Sequence, residues 1–181
     1  MDKQKKLDAI ADEIKKCRTC KKESSGVAVP GEGNPDADIV FLGEAPGKNE
    51  AATGRPFIGR SGQLLRRMIQ KVGLTESEVY ITSPVKYLPD RGTPSKKQIV
   101  HGRLHLSKQL AVIDPKIIVL LGKTAVTAML DRDSAILKEH GSILNDNGRT
   151  YIITLHPAAV LRFPKYTHLM EKDFLRVIEC R

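Results

Sequence analysis

His156 follows the apolar run Tyr151-Ile152-Ile153-Thr154-Leu155 and precedes Pro157. A histidine delivered at the end of a strand can donate a hydrogen bond to an anion that develops during a reaction. The same ring could instead cap the next helix, with Val160 and Leu161 in the core. In the first reading, Val160 and Leu161 could wedge into a base stack and Arg162 could hold a phosphate. A second chemical segment, Gly43-Glu44-Ala45-Pro46-Gly47, follows the run Asp38-Ile39-Val40-Phe41-Leu42. Glycine and proline there force a sharp turn and let a ligand approach the backbone closely. Glu44 and Glu50 bring two carboxylates to one loop. Gly54-Arg55-Pro56-Phe57-Ile58-Gly59 then presents the Phe57 ring between rigid turns, a platform for a flat base. By itself, this region could equally be a tight strand-to-helix turn with solvated glutamates.

Both segments need a frame. The runs 38–43, 79–82, 116–122 and 151–155 read as strands. The run Lys116-Ile117-Ile118-Val119-Leu120-Leu121-Gly122 has no polar alternation, so both of its faces should be buried, as in a parallel sheet. Helical periods fall at 2–16, 62–73, 124–130 and 163–178. Ser95 caps a further helix that runs to Ile113, where Asp114-Pro115 stops it. Strands alternate with helices, which predicts an α/β fold: a three-layer α/β/α sandwich around a mostly parallel four-stranded sheet, in one domain over 1–181. In such sheets ligands bind beyond the carboxyl ends of the strands. The segments 43–56, 83–94 and 156–164 all lie there, so their chemistry should converge.

The charge balance points to a partner. Thirty Lys and Arg against 21 Asp and Glu leave +9, which attracts a polyanion such as nucleic acid. No apolar run is long enough to span a bilayer. The N-terminal MDKQKKLDAIADEIKK lacks the apolar stretch of a signal peptide, so an intracellular, cytoplasmic protein is expected, associated with the nucleoid in a prokaryote; a monomer is expected as well. An odd cysteine count, Cys17, Cys20 and Cys180, argues against a disulfide framework.

Taken together, GEAPGKNEAATGRPFIGRSGQLL and LHPAAVLRFP resemble the paired motifs of the uracil-DNA glycosylase superfamily, and most of all its family 4, the iron–sulfur branch of archaea and bacteria. The VYIT and IIVLLG strands match as well, and the resemblance runs from CRTC to the last helix. It implies a monofunctional DNA-repair glycosylase that flips uracil from DNA and hydrolyses its glycosidic bond. His156 would stabilise the departing base, and Phe57 would stack on it. Glu44 and Ala45 would stand beside the scissile sugar, with Glu50 nearby. The backbone of Gly43, Pro46 and Gly47 would line the pocket, and Val160, Leu161 and Arg162 would enter the minor groove. Ala45 has no carboxylate to activate water, and Asp90 is the candidate for that task.

The chain departs from the family at several points. Ser83 replaces an asparagine whose amide reads uracil, and the loop after Lys86 is about one residue shorter and lacks its usual asparagine. A non-catalytic binding relative, or a glycosylase for hypoxanthine, xanthine or mismatched thymine, is therefore a rival expectation. The resemblance also implies a [4Fe–4S] cluster held by four cysteines. Cys17 and Cys20 match the first pair, but Tyr87 and Gly102 fall at the other two positions, and a cluster normally needs four thiolates. The alternatives are a metal-free packed loop, or zinc held by Cys17 and Cys20 with the nearby His101 and His105.

Overall fold

The protein, described over residues 2–181 in a computed structural model, follows the expected alternation. Helix α1 (Lys3–Lys16) opens the chain, with Asp2 capping it. The short α2 (Arg18–Lys21) and the two-residue strands β1 (Ser24–Ser25) and β2 (Glu32–Gly33) follow. Then come β3 (Ile39–Leu42), α3 (Lys48–Thr53), α4 (Arg60–Lys71), β4 (Val79–Thr82) and β5 (Leu88–Pro89). The second half contains α5 (Lys96–Ile113), β6 (Ile117–Leu121), α6 (Lys123–Leu130), α7 (Ile136–Glu139), β7 (Ile143–Asp146), β8 (Arg149–Thr154), α8 (Pro157–Arg162) and α9 (Thr167–Glu179). Ser95 caps α5 through a reciprocal capping box with Gln98, and Asp114 ends that helix in the left-handed conformation.

The main sheet has the order β2-β4-β3-β6-β8-β7. Its four inner strands, β4, β3, β6 and β8, are parallel and are the four expected from the sequence. The edges β2 and β7 are antiparallel and bring the sheet to six strands. Neither edge shows a buried apolar run: β2 is Glu32-Gly33, and β7 ends in Asn145-Asp146. The closing segment expected as one helix over 163–178 is broken: α8 ends at Arg162, Pro164–Tyr166 forms a single 3-10 turn, and α9 begins at Thr167. Pro164 lacks the N–H that a continuous helix would use.

Side chains alternate across the parallel strands and fill two cores. On one face Val40, Leu42, Ile118 and Leu120 pack against Leu7 and Ile14 of α1 and Leu106 and Leu110 of α5. On the other, Phe41, Val119 and Leu121 pack against Leu65 and Ile69 of α4 and Met170 and Phe174 of α9. This is the three-layer sandwich. Each large apolar side chain buried this way contributes roughly 1.5–3 kcal/mol. Together they hold the carboxyl ends of four parallel strands along one edge. Two hydrogen bonds tie that edge further: the Gly43 N–H donates to Thr82 O, and the Gly122 N–H to Thr154 O, each at 2.9 Å. Among the described residues, no helix is long and apolar enough to cross a membrane.

Candidate active site

A cavity of about 220 Å³ opens at this edge, lined by Glu44, Pro46, Phe57, Ser83, His156 and Ala158 among others. The segments after β3, β4 and β8 meet here, as the parallel topology requires. Ala45, Gly47 and Glu50 also line it, as do Leu88 and Gly92 of the loop before α5.

Phe57 is fixed from three sides. Its φ is +50°, a left-handed conformation that an aromatic residue adopts only when its surroundings impose it. Gly43 gives the ring its space, since a Cβ at residue 43 would stand 2.5 Å from Phe57 Cζ. Gly62 lets α4 pack on the Phe57 backbone, because a Cβ there would lie 1.8 Å from the Phe57 carbonyl oxygen. Arg66 of α4 donates from Nε to that same oxygen at 3.3 Å, and from Nη2 to Glu32 at 2.9 Å. The ring is therefore a rigid platform, and its centroid lies 5.9 Å from that of His156.

His156 is both cap and chemical group. Its Nδ1 accepts the Ala158 N–H at 3.2 Å at the start of α8. That bond requires Nδ1 to be unprotonated, so the ring proton of the neutral form sits on Nε2. Burial pushes the imidazole below its usual range, and the Glu44 carboxylate opposes that shift. The ring is thus neutral at pH 7 and carries one N–H to offer. Gly122, at φ +85°, lets the histidine pass close to β6, since a Cβ there would stand 2.9 Å from His156 Cβ. Glu44 is itself oriented: its Oε2 accepts Thr124 Oγ1–H at 2.6 Å.

Other residues expected at the site have different duties. Glu50 is buried, and its Oε1 accepts the N–H groups of Ile58 and Gly59 at 2.9 and 2.8 Å. These two bonds shape the turn that carries Phe57, while the residue also lines the cavity. Ser83 lines the cavity, but its Oγ donates to Val85 O at 2.8 Å, so the hydroxyl proton is directed into the chain. Asp90 is exposed and does not line the cavity. Val160 is buried against the second core, whereas Leu161 is half-buried. The exposed residues on this turn are Ala158, Ala159, Arg162 and Phe163, with the Arg162 guanidinium 5.4 Å over the Phe163 ring.

Thr124, Gly122 and Lys86 were not expected to serve the site. Gly122 ends the clearest strand, and that position was its one available signal. Lys86 is completely buried and donates from Nζ to Pro30 O, Thr82 Oγ1 and Gln109 Oε1 at 3.0, 2.8 and 2.6 Å. Burial pulls its pKa down to about 7. It braces the end of β4 directly before Ser83.

The four-cysteine cluster implied by the resemblance does not fit the residues present. Tyr87 is buried, and its hydroxyl reaches Ile14 O and Lys15 O at 3.3 Å. At Gly102 a Cβ would stand 2.1 Å from Pro84 O, so backbone fills the place a side chain would need. Cys180 packs in the core on the opposite face of the sheet from Cys20. Cys17 and Cys20 are instead gathered with His101 and His105, a group able to hold a metal ion.

A recessed pocket at the carboxyl edge of a parallel sheet sets a clamped aromatic ring opposite a histidine, an arrangement able to take a flat heterocycle. A family model described as the uracil DNA glycosylase superfamily matches residues 30–179. The type-4 uracil-DNA glycosylase of Saccharolobus solfataricus is 38% identical over 184 residues, covering 96% of this chain and 85% of that protein. Its counterpart in Archaeoglobus fulgidus is 36% identical, covering 96% and 92%. A type-5 uracil-DNA glycosylase of Pyrobaculum aerophilum is 29% identical, covering 74% of this chain and 66% of that protein. The chain belongs to the uracil DNA glycosylase superfamily.

Proposed function

We propose that the protein is a DNA-repair glycosylase that extrudes uracil from DNA and hydrolyses its N-glycosidic bond. The observation that carries this reading is the pairing of Phe57 and His156 across one pocket. The flipped base would lie on the ring, and stacking would offset part of the few kcal/mol that unstacking costs. As the bond breaks, its electron pair moves onto the base and the sugar becomes cationic. The Nε2–H of His156 donates to the oxygen that gains the negative charge. A neutral donor suits this task, since it stabilises the anion without surrendering its proton beforehand. The Glu44 carboxylate, held by Thr124, offers negative charge to the sugar. Water then adds at the anomeric carbon and gives up a proton that neutralises the released base anion, leaving free uracil and an abasic site.

Exposed cations next in sequence to pocket-lining residues support a DNA partner. Lys48 follows Gly47, Arg60 precedes Ser61, and Arg91 precedes Gly92. Arg162 closes the helix that His156 caps. Such groups contact phosphate without reading sequence. Base choice is where this chain differs from the pattern, since Ser83 spends its hydroxyl proton on Val85.

Duplexes carrying one uracil, hypoxanthine, xanthine or mismatched thymine, treated with the protein and then alkali, test the reading. Strand scission at uracil is expected. Scission confined to another base would reassign the substrate, and binding without scission at any base would overturn the glycosylase reading.

A further inference from the structure

We propose that the protein holds a single zinc ion in a closed Cys2His2 site made by Cys17, Cys20, His101 and His105, in place of a four-cysteine iron–sulfur cluster. One ligand atom from each residue lies within 4.8 Å of all the others. Cys17 Sγ and His101 Nε2 are 3.1 Å apart. Zinc–sulfur bonds of about 2.3 Å and zinc–nitrogen bonds of about 2.0 Å set the edges of a tetrahedral site at roughly 3.3–3.8 Å. The four groups need only small adjustments to reach that size. A cubane cluster binds each ligand through a different iron, which requires wider spacing and four thiolates.

Local structure prepares the site from two directions. Cys17 ends α1 and caps α2, with its sulfur accepting the Cys20 N–H at 3.4 Å. Both thiols therefore come from one tight turn. His101 and His105 stand four residues apart on α5, on one face of the helix, with ring centroids 5.7 Å apart. A second, independent observation points to the same place. His105 is only 8% exposed, yet its Nδ1 has no hydrogen-bond partner among the described residues. A buried polar atom left unsatisfied costs about 1–3 kcal/mol, and a cation coordinated by this ring removes the need for it to stay solvated.

Two thiols and two imidazoles select a borderline-soft divalent ion, and this donor set in tetrahedral form is that of structural zinc. Binding releases the two thiol protons to solvent, and the imidazoles bind neutral, so no electron transfer is involved. Four protein ligands leave no open position, which makes the site structural. Its effect is to pin the α1–α2 junction to α5, the helix that follows the loop carrying Leu88 and Gly92 to the pocket.

Metal analysis of the purified full chain, followed by chelation and titration with Zn²⁺ or Co²⁺ alone, tests the proposal. About one zinc per chain and no acid-labile sulfide are expected, with uptake tighter than about 1 µM. The Co²⁺ form should show the visible bands of a tetrahedral, thiolate-ligated ion. His105→Ala should weaken zinc binding at least about tenfold, whereas His105→Cys should retain one zinc, and the exposed His168→Ala should bind as the parent does. Iron and sulfide in cluster proportions would overturn the proposal. So would failure of the chelated parent to take up zinc, or parent-like affinity in His105→Ala.

Discussion

The backbone N–H of Ala158 donates to Nδ1 of His156 at 3.2 Å, and this one bond sets the chemistry of the ring. It fixes the neutral tautomer, places the proton on Nε2 and resists a second proton on Nδ1. A donor aimed at a developing anion is worth about 10²–10³ in rate at comparable sites. His156→Ala should therefore slow single-turnover cleavage by about a hundredfold, with DNA affinity little changed. An unchanged rate would remove His156 from the mechanism.

The neighbouring carboxylate gives this account a pH signature. Burial lowers the His156 pKa and Glu44 raises it. Because the neutral ring is the active form, activity should fall as pH drops through that lowered pKa, on the acid side of an ordinary histidine. Glu44→Gln removes the opposing charge, so the pKa falls further. The acid limb of the variant's pH–rate profile should move to lower pH, along with a slower plateau. A limb that moves to higher pH would contradict the pairing.

Gly43 and Phe57 should behave as one unit. A methyl at residue 43 would meet the ring at 2.5 Å, so Gly43→Ala must displace the platform. Both Gly43→Ala and Phe57→Ala should weaken base capture by about tenfold, a stacking loss of about 1–3 kcal/mol. The double variant should be no worse than either single, since each change removes the same contact. Additive losses in the four-way cycle would separate the two residues.

The paired motifs were legible because their glycines and prolines have local backbone reasons to be where they are. The four inner strands were legible because buried parallel strands read as unbroken apolar runs. What escaped was whatever depends on a partner distant in sequence. Val160 and Leu161 offered two readings, and the packing of α8 decided that Val160 belongs to the core. The structural duty of Glu50 was hidden because a carboxylate in a glycine-rich loop gives no sign that two N–H groups wait eight and nine residues later. Edge strand β2 is only two residues long, and β7 joins two apolar residues to Asn145-Asp146, so neither carries an unbroken apolar run.

That duty of Glu50 gives a stability prediction. Removing the carboxylate leaves the Ile58 and Gly59 N–H groups without their acceptor, so Glu50→Ala should cost about 3 kcal/mol in denaturant unfolding. Glu50→Gln keeps an acceptor oxygen and should cost about 1 kcal/mol. Equal, small losses in both variants would show that the turn stands without this side chain.

Lys86 supplies a second pH dependence. Its pKa is about 7 when folded, against about 10.4 for an unfolded lysine. Between those values the unfolded chain binds one more proton than the folded one, so the lysine's contribution to stability rises with pH. The parent should therefore gain stability relative to Lys86→Met from about pH 7 to about pH 9. A constant difference across that window would mean that the buried amine stays charged.

The most direct test is to follow the released base itself. A single-uracil duplex, incubated with the protein in ¹⁸O-labelled water, should yield free unlabelled uracil and an abasic sugar carrying the label. His156→Ala should release it about a hundredfold more slowly. Retained DNA binding with no free base from any substrate would contradict the account.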